Sequence, residues 1–534
     1  MQQDGKLFLQ KQHLQNIGAC YELAKKISTS FGPKGMLKII LNHLEKLFIS
    51  KNSTTIMSEL EIKHPAAKMV VLAANSQALE IGDGTNFVVT LAGELLHQAA
   101  ELITQGLVPK DIITGYEMGL RLCLEHLEKL VSHKLEGFDD HAELTKALRP
   151  IVMSKQYGFE DYLSPIIAQA CSMVIPKKSH TFNTDNVRIV KIIGQSIEDS
   201  YVERGMILLR PVYGAVKHIK EGAKILVVRG ALEPEMSETK GTIMFSSADE
   251  MLAFSKSEED RIQKRVDQLV EAGVNVVVSG SSVNDLVKHY LDMANIMIIR
   301  IPSKWGLLRL GRSVGARPLV KFTDDFTGDM LGKADEVRSK EIGGAKCVVF
   351  SDDYSDEDIS TGRKRGIATI VLRASTRNML DDLEQCVQNA VSSVKAMTED
   401  SRMVLGAGAT ELSLSAVLRH AADRTTGLEQ YALRKFSEAL RIIPRTLLQT
   451  CGLDTEKGLT MLSAAHEKGD TKMGVNIEAK RVQDCTMDAE KAGIFDLFCG
   501  KEWGLKCAVD AACTVLKVDL IIMTKEAGIK PKGK

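Results

Sequence analysis

The chain has 534 residues, well past the roughly 250 to 300 at which one hydrophobic core stops growing, so two to four domains are expected. Hydrophobic residues make up 44% and charged residues 26%, the proportions of an ordinary globular protein, which excludes collagen-like, disordered and membrane-spanning classes. Lys plus Arg and Asp plus Glu number 69 each, so no global charge draws the chain to a phosphate backbone, and neither nucleic acid nor membrane is an expected partner.

The start, Met1-Gln2-Gln3-Asp4-Gly5-Lys6, has no basic stretch followed by an apolar run, and about 18 apolar residues never run together. The ten cysteines form no C-x-x-C pair and no metal-finger spacing. Reduced thiols in a cytoplasmic protein are the reading that fits.

Along the chain, the first 140 residues read mainly as helices. His64-Pro65 sets proline at a helix start, and Ala67, Val70, Val71, Ala74 and Ala78 recur at helical spacing. After a turn at 82–84, Phe87, Val88, Leu91, Leu95, Ala99 and Ile103 continue that spacing to Gly106, and a third helix follows Pro109. Terminal strands are expected at Lys6 to Leu9 and Val518 to Met523, with a hairpin around Lys46 to Ser50.

From about 200 to 365 short β-branched runs alternate with helical stretches. Ile225 to Val228, Val274 to Val278 and Ile296 to Ile301 read as strands, and Ser255 to Ala272 as a charged helix. Such alternation predicts an inserted α/β domain, with the polar stretch Asp352 to Arg365 as its exit. Ala368 to Leu372 then reads as a strand and Asn378 to Met397 as a helix, after which helices dominate through Leu516. A helical domain built from both ends of the chain and interrupted by a foreign middle is the economical arrangement.

Three small-residue loops are expected to abut helix starts: Gly32-Pro33-Lys34-Gly35, Gly82-Asp83-Gly84-Thr85-Asn86 and Gly406-Ala407-Gly408-Ala409. Glycine lets backbone N–H groups approach an anion, and a helix N-terminus carries about half a positive charge, so such loops suit phosphates. Asp83 adds a carboxylate of the kind Mg²⁺ takes alongside phosphate oxygens. Each loop alone is equally an ordinary turn. Neither a P-loop nor a dinucleotide fingerprint occurs.

The first two of these loops, with Glu61 to Lys68 ending His64-Pro65-Ala66-Ala67-Lys68, stand in the order and spacing of the group II chaperonins, which the chain resembles over essentially its whole length. Stretches such as Asn42 to Lys46, Met153 to Gly158, Asp185 to Gly194 and Pro302 to Trp305 resemble one subunit type of the eukaryotic cytosolic members. The resemblance implies a multidomain α+β chaperonin fold: a mainly helical equatorial domain (1–142 and 401–534), a small intermediate domain (143–200 and 366–400), and an inserted α/β apical domain (201–365) with a helical protrusion.

It further implies a subunit of a hetero-oligomeric double ring that binds ATP or ADP with Mg²⁺ and assists unfolded clients of the actin and tubulin class. By position Phe31, Gly32, Gly84, Thr85, Asn86, Phe87, Met153, Ser154, Lys155, Gly406, Gly408, Asp496 and Lys501 would contact nucleotide, with Asp83 on the metal. At the family's two catalytic aspartates this chain has Asn52, in Ser50-Lys51-Asn52-Ser53, and Asn389. An amide cannot accept the proton of an attacking water, so the chain is expected to bind nucleotide and hydrolyse it slowly, or to act as a nucleotide-retaining structural subunit. Leu405-Gly406-Ala407-Gly408 also departs from the family's Pro-Gly-Gly-Gly.

Overall fold

A computed structural model describes residues 2–42, 45–138, 140–175, 182–233, 247–351 and 366–522, with the side chains of 2–11 and 248–258 excepted. In chain order the helices are α1 Gln2–Ser28, α2 Ser53–Glu59, α3 Pro65–Glu80, α4 Thr85–Thr104, α5 Pro109–Leu127, α6 His141–Lys155, α7 Glu160–Val174, α8 Ala248–Glu271, α9 Asp285–Met293, α10 Lys304–Val314, α11 Arg377–Glu399, α12 Ala409–Arg424, α13 Glu429–Leu440, α14 Ile442–Thr450, α15 Thr455–Glu467 and α16 Phe498–Lys517. The chain divides into two compact units, one made of Met1–Ser164 with Asp381–Lys534 and the other of Pro165–Leu380. Both divisions fall inside a helix, α7 and α11, in segments read from the sequence as intermediate.

The first unit is organised around α4. The sequence marks one apolar face on it, yet Val89, Ala92, Leu96 and Leu102 are buried as fully as Val88, Leu91, Leu95 and Ala99. A helix buried on most of its circumference belongs in the middle of a core, and α1, α3, α13 and α16 all pack against it, leaving the His97, Glu101 and Thr104 strip partly open. The close approaches are made by small residues: a Cβ on Gly93 of α4 would stand 2.1 Å from the Cβ of Ala24 on α1. Next to it, Tyr116 of α5 donates its hydroxyl to the Leu95 carbonyl at 2.8 Å and meets Phe436 edge-on.

The same unit carries the hairpin, with Lys38–Leu41 paired antiparallel to Leu47–Ser50; positions 43 and 44 of its turn lie outside the described residues. Arg402–Leu405 pairs on one side with Phe495–Leu497 and on the other with Val131–Lys134. The expected strand at Lys6 to Leu9 is instead part of α1. A lone edge strand leaves its backbone groups unsatisfied within one chain, and a helix satisfies them internally. Residues 518–522 form neither helix nor strand, and Met523 lies outside the described residues.

In the second unit, Met297–Arg300, Val276–Ser279 and Ala223–Val228 run parallel, with Gly332–Ala334 antiparallel at the edge. Alternate residues of these strands enter two separate cores: Ile225, Val227, Val276 and Val278 on one side, Leu226, Val228, Val277 and Ile298 on the other. Burial on both faces explains why the strands read as unbroken apolar runs. A four-stranded antiparallel sheet joins the first of these cores through Met206, Val337, Val348 and Phe350. A third sheet sets Ala368–Ala374, buried throughout, between Val187–Ile193 and Tyr201–Arg204. The exit segment Asp352 to Arg365 lies outside the described residues.

All ten cysteines are free, and no described helix is long and apolar enough to cross a membrane. Because Gly93 sets the spacing of α1 and α4, Gly93→Ala is expected to lower stability by roughly 1–3 kcal/mol through overpacking, outweighing the ~1 kcal/mol that alanine gains in helix propensity. A reduced thermal midpoint of the purified full chain is the check; an unchanged or raised midpoint would show that α1 shifts freely.

Candidate functional site

Within the first unit a cleft of about 870 Å³, partly open to solvent, gathers loops far apart in sequence. Its floor is the start of α4. Gly84 caps that helix in the left-handed conformation (φ 83°) and offers no side-chain oxygen to the first-turn N–H groups. Uncapped N–H groups at a helix start form a ready anion site. A second left-handed glycine, Gly408 (φ 80°), caps α12 in the same way.

The Asp83-Gly84 turn is pinned from below by Gln77 of α3, which is fully buried and whose amide donates to the Asp83 and Gly500 carbonyls, both at 3.1 Å. Asp83 projects into the cleft and pairs with Lys155 at the end of α6 (3.0 Å). Asn86 donates to the Ser30 hydroxyl at 3.2 Å and accepts from Thr90 at 3.1 Å, tying α4 to the end of α1.

Lys501, in the first turn of α16, closes another wall. It contacts Glu411 of α12 and pairs with Asp496 at 2.9 Å, and its ammonium sits 4.8 Å from the centre of the Phe87 ring. Burial works against its charge, but the two carboxylates hold the Lys501 pKa well above the ordinary lysine value. Asp496 is held opposite Val404 by strand pairing, and a Cβ on Gly406 would come within 3.3 Å of its carboxylate.

Of the residues expected from the sequence, Phe31, Gly32, Asp83, Gly84, Asn86, Phe87, Ser154, Lys155, Asp496 and Lys501 line the cleft. Thr85, Met153, Gly406 and Gly408 are not among its lining residues. Thr85 pairs through its hydroxyl with Thr54 at 3.3 Å, and Met153 is buried.

The Gly32 to Gly35 loop requires a correction. It follows the end of α1 and leads into the hairpin instead of opening a helix, because the run Lys38-Ile39-Ile40-Leu41 behind it is strand-forming.

Neither Asn52 nor Asn389 is among the lining residues. Asn52 is buried and caps α2 by accepting from the Thr54 N–H at 3.3 Å. Asn389, in the amide orientation its neighbours require, donates to the Gly82 carbonyl at 3.3 Å and to that of Gln385 at 3.2 Å.

The cleft also holds residues that sequence reasoning passed over: Ser30, Lys51, Ile81, Ile151 and Ser393 among them. Gln77 had a legible signal, a polar residue on the apolar Val70-Ala74 face of α3. Glu411 had none, since its partner lies ninety residues away in the chain.

For a divalent cation the cleft supplies one carboxylate not paired with Lys501, that of Asp83. Mg²⁺ commonly takes one or two carboxylates, with phosphate oxygens and waters completing its shell, so this donor set fits a metal that arrives with a phosphate ligand. No described cluster of three or more His, Cys, Asp or Glu side chains exists to hold a metal without one.

Comparison with known proteins gives a concordant result. The model of the TCP-1/cpn60 chaperonin family matches residues 23–526. T-complex protein 1 subunit theta of Dictyostelium discoideum is 43% identical over 515 residues, covering 96% of this chain and 93% of the relative. The Homo sapiens protein of that name is 42% identical over 522 residues, covering 97% and 93%.

The Lys501 cluster yields a test. Lys501→Met leaves Glu411, 1% exposed, without its counter-ion, an expected loss of roughly 3–5 kcal/mol. A large fall in thermal midpoint, mostly recovered when Glu411→Leu is added, is the expected outcome; a single variant as stable as the parent would show that solvent reaches Glu411.

Proposed function

We propose that this chain, which belongs to the TCP-1/cpn60 chaperonin family, serves as a theta-type subunit of a hetero-oligomeric, double-ring cytoplasmic chaperonin and binds ATP or ADP in the cleft at the start of α4. The observation that carries the nucleotide reading is the convergence of an uncapped helix N-terminus with Asp83, Lys155 and Lys51 in one cleft. Phosphates would lie against the N–H groups after Gly84. Asp83 would hold Mg²⁺, and Phe87 with Lys501 would border the remainder of the nucleotide.

In this reading the middle of the chain (201–365) is the client-contacting domain, residues 143–200 and 366–400 form the connector, and actin- and tubulin-class proteins are the clients. Bound Mg²⁺ would supply charge neutralisation of the phosphates; the chain's own groups orient the nucleotide and exclude bulk water. The step they serve poorly is removal of a proton from attacking water. Asn52 spends its side-chain oxygen on the α2 cap, and Asn389 spends its amide on the Gly82 carbonyl. Asp382, the carboxylate nearby on α11, accepts from Ser50 at 2.8 Å and Gln156 at 2.5 Å, and burial raises its pKa. The site therefore reads as one that retains nucleotide and turns it over slowly.

Assembly has its own surface. Ile39, Leu41 and Leu47 on the hairpin are 69%, 65% and 48% exposed, an apolar edge that strand addition from a neighbour would cover.

Two experiments test the proposal. In rings whose other subunits are hydrolysis-dead, Asn52→Asp with Asn389→Asp is expected to raise single-turnover hydrolysis on the order of 10²-fold or more, the worth of a general base. A fast parent site unaffected by the double change would refute the slow-turnover reading. Ile39→Glu with Leu41→Lys should reduce recovery of the chain in ring-sized particles by native mass measurement; undiminished incorporation would show that the hairpin is not an assembly edge.

A further inference from the structure

The cleft contains one lysine charge for which the fold provides no direct ion pair among the described residues. Lys51, on the short link between the hairpin and α2, lines the cleft and is only 6% exposed. Its ammonium donates to the Pro33 carbonyl at 2.7 Å. No carboxylate lies within ion-pair distance of it among the described residues. The other cleft lysines are provided for: Lys155 has Asp83, and Lys501 has Glu411 and Asp496.

A buried ammonium with a single carbonyl acceptor is an unfavourable arrangement for an empty site. It becomes favourable when an anion enters, because charge-assisted hydrogen bonds to phosphate oxygens are among the strong ones.

We propose that Lys51 is a direct ligand for the phosphates of the bound nucleotide, an ammonium in the cleft wall that supplies part of the positive charge otherwise brought by a divalent metal, so that this site keeps nucleotide when the metal is withdrawn. The inference rests on the nucleotide reading given above and adds to it the ligand charge state the site accepts.

The surroundings agree. The side chain next to Lys51 in sequence, Asn52, is neutral and turned to its cap. From α11, Asp382 faces Lys51 but is occupied by Ser50 and Gln156, and Cys386 is a buried thiol whose pKa is pushed up to about 12. From α6, Lys155 adds a second positive charge. Burial, reinforced by Lys155 and only partly offset by the Asp382 charge, pulls the Lys51 pKa down to about 8, and a phosphoanion would reverse that pull. The loop carbonyl that Lys51 grips belongs to Pro33, beside the left-handed Gly32 (φ 79°) that lines the same cleft.

The test uses assembled rings in which only this subunit binds nucleotide, and compares ADP affinity in Mg²⁺ with affinity in excess EDTA. The parent chain is expected to lose no more than about tenfold on metal removal, whereas Lys51→Gln, which keeps a donor for the Pro33 carbonyl but removes the charge, should lose a further tenfold or more in EDTA, the usual worth of a hydrogen bond to a charged group. Lys51→Arg should stay near the parent. Lys51→Asn provides the same comparison if Lys51→Gln does not assemble.

Equal affinities for parent and Lys51→Gln in EDTA would overturn the inference, as would equal losses with and without metal. A parent that binds ADP only with Mg²⁺ would overturn it while leaving the nucleotide reading intact. A parent that binds ADP under neither condition would remove both.

Discussion

The burial of α4, complete over its first three turns and open beyond them along the His97, Glu101 and Thr104 strip, is the constraint from which the rest of the helical unit follows. A helix with apolar side chains on most of its circumference forces other helices to surround it, and Gly93 opposite Ala24 sets how closely α1 can come. Its N-terminus must then emerge where the surrounding helices end. There the chain enters through Gly84 in a conformation that leaves the first N–H groups without a side-chain cap. The cleft is in this sense the uncovered end of the core, and its chemistry is fixed by packing that begins about a helix length away.

Electrostatics complete what packing begins. Each charge in the cleft is balanced differently: Lys501 by two carboxylates in contact, Lys155 by one, Lys51 by a carbonyl, with Asp382 acting on it only from beyond ion-pair distance. That gradient orients the site, with its settled pair near Phe87 and its unsettled charge near Gly32. The Gly406-Ala407-Gly408 turn shows strain in the same neighbourhood. Ala407 takes a left-handed conformation (φ 56°) where glycine would be at ease, and the Val475 N–H to its carbonyl (2.9 Å) helps hold it there.

Much of this was legible in the sequence because it is written in local chemistry. Helical spacing placed α3 and α4 and a proline placed α5, apolar runs placed the parallel strands, and glycine-rich turns marked all three loops, two of them at helix starts. What escaped depends on distance or on context. The role of Lys51 follows from burial beside Pro33, eighteen residues back, and Glu411 acquires meaning only from Lys501. The strand expected at Lys6 to Leu9 failed for a related reason: its residue pattern anticipates a partner strand, and within one chain those backbone groups close on themselves as helix. The Gly32 loop was assigned to a helix start because glycine and proline occur at many kinds of boundary, and the β-branched run that decides between them lies beyond the loop.

The division of the helical unit between two chain segments has a consequence for synthesis. Helices α1 to α5 leave the ribosome early, but α13 and α16, which cover α4, begin only after about 300 and about 370 further residues have been made. At about 5–20 residues per second that interval is roughly 15 to 75 s. Through it the most apolar helix of the chain waits half-wrapped, while the α/β unit, whose strands and helices are contiguous, is free to fold first. Birth order and stability order are thus opposed: the segment that becomes the centre of the finished subunit is, while nascent, the one most in need of another protein's shelter.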